Sequence, residues 1–378
     1  MLEIIIDTIE NSPNQRITFA DYMNLVLYHP EQGYYSSGKV NIGSEGDFFT
    51  ASSLGSDFGE LLAEQFKEMS EFLTYSDSFN LIEVGAGTGN LAADILTYLK
   101  EKHSNFYHQV HYIIIEESQA LIKEQQNKLK DFDKITWKSW QDIPKNSITG
   151  CIFSNELIDA FPVHKVTKQN KQLKEIYVTW QDNQLKEIAE EISTPQLLDY
   201  FKLIDIDITK DNYPENYRTE VNLKALDWLK IVSEKLNIGY VLTIDYGYDA
   251  SKYYHAQRYQ GTLNCYYKHR HHHNPYVNLG EQDMTAHVDF TALEKQGNLL
   301  GLETVGLTQQ GLFLMALGLG DRLAALSNGH YSLPQILQRR DALHQLINPT
   351  GLGGFKVLIQ SKKIDNNQSL KGLKENLM

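Results

Sequence analysis

The 378-residue chain is 42% hydrophobic and 22% charged, with 25 glycines and 9 prolines, which excludes general disorder and collagen-like or proline-dominated architectures. Lys and Arg number 35 against 48 Asp and Glu; the net charge of −13 argues against a general grip on nucleic acid and favours a cationic peptide as partner. Two cysteines, Cys151 and Cys265, are too few for a disulfide framework or a four-thiolate metal site.

Met1–Asp7 is apolar but broken by acids and has no basic flank, so neither a signal nor a transit peptide is expected there. Residues 311–320, the most apolar stretch, are half the length of a membrane span. The expectation is a protein of a reducing, cytoplasmic compartment that does not insert into membranes. Thr18 and Asp21 make a capping-box-like start to a helix that stops before Pro30, and Gly33 to Thr50 reads as loop. From Leu54, Phe58, Leu61, Leu62, Phe66, Met69 and Phe72 recur at helical spacing.

The period then changes. Short apolar runs at 80–84, 111–115, 135–137, 150–153 and 239–244 read as strands, and the segments 91–99 and 120–129 between the first of them as helices. Two more runs, 302–307 and 354–359, flank an apolar helix around Phe313. This alternation predicts an α/β fold with a doubly wound, mainly parallel sheet of seven strands, covered on both faces. The expected division is a helical N-terminal extension with a lid loop (1–78), a ligand-binding half (79–162), an inserted hairpin and helix (163–238), and the remainder (239–378). Within the last lies a polar insert, 247–288, with little periodicity.

Glu83-Val-Gly85-Ala-Gly87-Thr-Gly89 follows a predicted strand and opens a helix. Glycines permit positive φ and close approach of a ligand, and the helix start offers free N–H groups. Asn90 stands where a dinucleotide fingerprint wants its third glycine, and an acid at 83 suits a ligand's ammonium better than a pyrophosphate. Glu116, ending the next strand, is placed to accept hydrogen bonds from ribose hydroxyls. The pattern is that of enzymes using S-adenosyl-L-methionine (SAM); an NAD-dependent oxidoreductase is the rival ligand class.

Beyond the glycine loop, Tyr22-Met23, Gly33-Tyr34-Tyr35, Asp47-Phe48, Glu116-x-Ser118, Asn155-Glu156-x-x-Asp159, Asp245-Tyr246-Gly247 and Asp283-x-Thr285-x-His287-x-Asp289 run in order along nearly the whole chain. This ordered set resembles the MidA-like family of SAM-dependent methyltransferases, whose mitochondrial members are arginine methyltransferases that assist respiratory complex I assembly. The chain departs from it at Ala86 and Thr88 in the glycine loop, and at 51–54, which lacks a Pro-Glu pair usual in the family. The resemblance implies a Rossmann-like class I methyltransferase fold, SAM as cofactor and arginine on a protein partner as acceptor. Glu83, Gly85, Gly87, Gly89 and Glu116 are the expected cofactor residues, with Gly33, Tyr34 and Asp47 as a lid over it. Asn155, Glu156 and Asp159 are the expected catalytic residues, because carboxylates bind a guanidinium's fork of donors. Read without the resemblance, the residues support only a cationic or polar acceptor in an acid-lined cleft. A SAM-binding assembly factor without turnover is the alternative from another class. His269–His273 is read as incidental surface imidazoles rather than a zinc site, and Asp289 as a helix cap.

Overall fold

The computed structural model describes residues 1–36, 50–73, 78–268, 270–326, 332–365 and 369–374. Seven strands form the main sheet: β1 (Phe79–Val84), β2 (Val110–Ile115), β3 (Ile135–Lys138), β4 (Ile148–Asn155), β5 (Leu236–Asp245), β6 (Glu303–Gln309) and β7 (Lys356–Lys362). Their spatial order is β6-β7-β5-β4-β1-β2-β3. Neighbours from β5 through β3 are parallel, and β7 runs antiparallel between β5 and β6. The order reverses beside β1, the position at which doubly wound sheets bind ligands beyond the carboxyl ends of their strands.

The strands read as continuous apolar runs because both faces are covered. On one face Leu81, Cys151, Phe153 and Leu242 pack with helices α3 (Asp57–Glu71), α4 (Asn90–Lys102) and α8 (Gln310–Leu317). On the other, Ile82, Val84, Ile152 and Val241 pack with α6 (Leu223–Lys235) and α7 (Phe290–Leu299). Burying each such side chain contributes about 1.5–3 kcal/mol. Before these elements stand α1 (Leu2–Glu10) and α2 (Phe19–Tyr28), and α5 (Gln119–Lys128) follows β2. The capping box at Thr18 and Asp21 forms as expected.

Two segments hold more regular structure than their sequences suggest. The insert contributes strands 164–169, 172–181, 184–190 and 218–221 to a sheet that also recruits Arg16–Thr18, paired with 177–179. The polar segment contains a three-stranded sheet of 264–267, 270–272 and 283–285. Ile5, Ile9, Phe19 and Met23 share a core with Val178, Leu263 and Met284. The N-terminal segment, the insert and the polar segment thus pack together beside the main sheet.

Candidate cofactor and acceptor site

Beyond Val84 the chain turns through Gly85, Gly87 and Gly89, all with positive φ, into α4. Gly85 is the position that demands glycine: at φ 72° an added Cβ would stand 2.7 Å from Leu157 Cδ1. The first turn of α4 then leaves backbone N–H groups without intrahelical acceptors.

Glu83 is buried, and its Oε2 accepts a 2.6 Å hydrogen bond from the Tyr112 hydroxyl. Burial, with Glu116 adding repulsion against the opposing effect of that bond, pushes Glu83 up to about 7. Glu116 follows β2, and its Oε1 accepts from the N–H groups of Glu117 and Ser118, both at 2.9 Å. Gln125, fully buried on the otherwise polar α5, links the two sides. Its Nε2 donates to the Gly87 carbonyl at 2.7 Å and to Glu116 Oε2 at 3.4 Å, while Trp137 Nε1 holds its Oε1.

Across the cleft lies the turn after β4. Glu156 sits at φ 51°, an unusual conformation for a residue with a long side chain, and its N–H bonds the Ile244 carbonyl at 2.9 Å. Burial, with Asp159 adding to it, pushes the Glu156 carboxyl up to about 8, despite bonds from the Asn155 side chain and the Ala51 N–H. Burial raises Asp159 to about 6. Asp245, at the end of β5, is fully buried; one carboxylate oxygen accepts from the N–H groups of Ile158 and Asp159, the other from that of Tyr246. This acid therefore fixes the 156–159 turn. Asn155 Oδ1 and Asp159 Oδ1 are buried without a hydrogen-bond partner among the described residues, so the turn presents acceptors for a ligand's donors.

Tyr35, Thr50, Ser52, Glu83, Gly85 to Thr88, Asn155, Glu156, Asp159 and Asp283 line one cleft. The structure brings Glu83, Gly85 and Gly87 together with Asn155, Glu156 and Asp159 around this cleft. Gly89 and Glu116 adjoin the cleft through α4 and Gln125 rather than lining it. Gly33 and Tyr34 do not reach it. Gly33 turns tightly against the end of α2, where a Cβ would meet the His29 backbone, and Tyr34 is a core residue. The neighbouring Tyr35 faces the cleft instead and donates to Asp283 Oδ1 at 2.8 Å. Asp47 and His269 lie outside the described residues, and among those described no cluster of three His, Cys, Asp or Glu is arranged to hold a metal. Asp289 caps α7, accepting from the Ala292 N–H, as expected.

Residues 61–308 match a family model described as "Putative S-adenosyl-L-methionine-dependent methyltransferase". The chain belongs to this methyltransferase family. It is 30% identical to the mitochondrial protein arginine methyltransferase NDUFAF7 of Rattus norvegicus over 89% of its own length and 79% of the relative's, and equally to that of Homo sapiens over 89% and 78%. A crystal structure of a Burkholderia thailandensis protein bound to S-adenosyl-homocysteine superposes with a TM-score of 0.82 at 30% identity, covering 98% of this chain and 94% of that one.

The methyltransferase's cofactor is SAM, and the cleft fits it. A glycine turn lets backbone come close, and the partly protonated Glu83 can ionise against an ammonium. Buried acceptor atoms at 155 and 159 stand opposite. Among the described residues no helix is long and apolar enough to cross a membrane. Sequence reading did not single out Tyr112 or Gln125. Tyr112 hides in an ordinary strand pattern. Gln125 carries no signal in the sequence, since Gln119, Gln126 and Asn127 of the same helix are uncharged and polar too.

Proposed function

We propose that the chain transfers a methyl group from SAM to a guanidinium nitrogen of an arginine on a protein partner. The single observation behind this reading is the turn at 155–159, where buried, unpartnered acceptor atoms and raised carboxyls face the glycine loop. A guanidinium brings five N–H donors in a planar fork, which suits such an array better than a lysine ammonium would. The names of the relatives support the same acceptor.

SAM, when bound, supplies an electrophilic methyl carbon. In this reading Glu83 and Glu116 hold the cofactor's ammonium and ribose, with Gly85, Gly87 and Gly89 giving backbone clearance. Glu156 and Asp159 bind the guanidinium and orient one nitrogen, so positioning and electrostatics carry the rate. As the N–C bond forms and the C–S bond breaks, the sulfur keeps the electron pair and the guanidinium sheds one proton. Glu156 or Asp159, both with raised affinity for protons, accepts it.

The test pairs two variants with methyl-labelled SAM and arginine-containing peptides. Glu156→Gln is expected to bind SAM within about two-fold of wild type yet lose transfer by about 100-fold or more, within the range of general acid–base contributions. Glu116→Ala is expected to weaken SAM binding by at least about ten-fold, which corresponds to roughly 1.4 kcal/mol. Intact SAM binding with no label on any arginine in the wild type would instead favour a cofactor-binding assembly protein.

A further inference from the structure

The cofactor cleft does not end at Glu156. That side chain also lines a second cleft of about 700 Å³, walled by Tyr246, Tyr248, Tyr266 and Phe355 among others. Asn264 and His287 are common to this cleft and to a third, of about 740 Å³, which reaches Arg258 and the strands of the insert. Sharing these two residues, the clefts adjoin one another between the β4 tip and Arg258; we term the run of the two the trench.

One wall of the trench is a stack of rings. Tyr246 meets His287 edge-on at 4.9 Å, His287 lies nearly parallel to Tyr248 at 5.1 Å, and the Arg258 guanidinium sits 4.2 Å over the Tyr248 ring. His287 is neutral, because burial and the Arg258 charge push it down to about 4, and its Nδ1 is buried without a partner among the described residues. The other two cations of the distal cleft are already engaged: Lys165 and Arg218 both pair with Glu187, at 2.6 and 2.5 Å. Arg258 makes no ion pair among the described residues. Held over the ring, it keeps its fork of donors for a carboxylate.

We propose that the acceptor polypeptide lies extended along this trench, its arginine at Glu156 and an aspartate or glutamate of the same segment paired with Arg258. The inference rests on the arginine reading above and adds a sequence preference to it. The three spacings in the stack put Arg258 within about 14 Å of Tyr246, which lines the same cleft as Glu156, so the two anchors lie a few extended residues apart. The ends differ in charge. Acids line the β4 end and favour a cation, whereas at the distal end Lys165, Arg218 and Arg258 outnumber Glu187 and Glu220 and leave the Arg258 charge for a carboxylate, which favours one orientation of the segment.

The experiment measures methyl transfer by the full chain to a set of arginine peptides, each with a single glutamate two to six residues from the arginine on either side, and to matched glutamine peptides. A glutamate three to five residues away on one side is expected to lower KM at least about ten-fold relative to glutamine, with kcat changed less than about three-fold. Arg258→Glu is expected to erase that preference and to favour lysine at the same position. Should the variant not fold, the peptide set on the wild-type chain decides alone. Arginine methylation with one KM for every glutamate position would overturn the trench assignment and leave the arginine reading standing. No label on any arginine peptide, with SAM binding intact, would overturn both.

Discussion

Glu83, Glu156 and Asp159 hold protons in the folded chain at pH values where free carboxylates have lost them, at about 7, 8 and 6 against an ordinary value near 4. The folded state therefore binds more protons than the unfolded chain between about pH 4 and pH 8, and its stability falls as pH rises through that window. A cationic ligand reverses the preference, because its charge favours the ionised acids; binding should expel protons and tighten as pH rises from 6 to 8. Unfolding temperature without ligand is expected to drop by several degrees from pH 5 to 8, and SAM affinity measured by calorimetry to rise over the same range. Glu83→Gln should flatten the rise in affinity. An affinity that falls with pH would mean that these carboxyls do not face the ligand's positive charge. Much of this chemistry is legible in the residue types: acids at strand ends and a glycine turn between them. The conformation of Glu156 is not, because nothing in a glutamate announces positive φ. Nor does the sequence distinguish Tyr34 from Tyr35, which differ only in which side of one turn they occupy.

At the level of elements, the sheet that carries the site was readable because its strands are buried on both faces and so appear as unbroken apolar runs. The insert sheet was not, because its buried positions include charges. Lys165 and Lys168 lie inside the strand 164–169; the first is paired with Glu187, and the second donates to the carbonyls of Lys210 and Tyr213. Glu175 is buried against His164. Such strands look polar in sequence, since their partners lie far along the chain. The main sheet also carries a constraint in two glycines. Gly239 of β5 sits opposite Gly150 of β4, which sits opposite Asn80 of β1. A Cβ at Gly239 would stand 1.9 Å from the Gly150 carbonyl oxygen, and one at Gly150 2.1 Å from that of Asn80. Backbone atoms cannot rotate aside as side chains can, so Gly239→Ala must separate the strands. A loss of about 3 kcal/mol or more is expected in denaturant unfolding, at the upper end of overpacking costs. Gly301, in open space but at φ 78°, should cost only about 1 kcal/mol when changed to alanine.

Besides the two faces of the main sheet, the molecule has a core shared by the N-terminal, insert and polar segments and another that joins the insert to α7; the sheet and the first of these cores are the two bodies that meet at the cleft. The main sheet supplies the glycine loop, Glu83 and the 155–159 turn, whereas the N-terminal segment, the insert and the polar segment form a separate core around Ile5, Ile9, Phe19, Val178 and Met284. Among the described residues few polar bonds tie the N-terminal segment to the site: the Ala51 N–H bonds the Glu156 carboxylate, the Tyr28 hydroxyl donates to the Ala160 carbonyl at 2.9 Å, Tyr35 donates to Asp283, and Ser118 Oγ donates to the Tyr35 carbonyl at 3.1 Å. A defect in the N-terminal core should therefore loosen the trench walls before it disturbs the cofactor end. Ile9→Ala removes a side chain with 1% exposure and is expected to cost about 2–5 kcal/mol locally. If the two bodies open independently, hydrogen exchange will accelerate in 164–181 and 264–285 while β1, β4 and β5 stay protected. KM for the acceptor peptide should then rise several-fold with SAM affinity within about two-fold of wild type. An equal loss of protection across both bodies would show instead that the molecule unfolds as one unit, and the acceptor walls would then have no flexibility separate from the sheet that holds the cofactor.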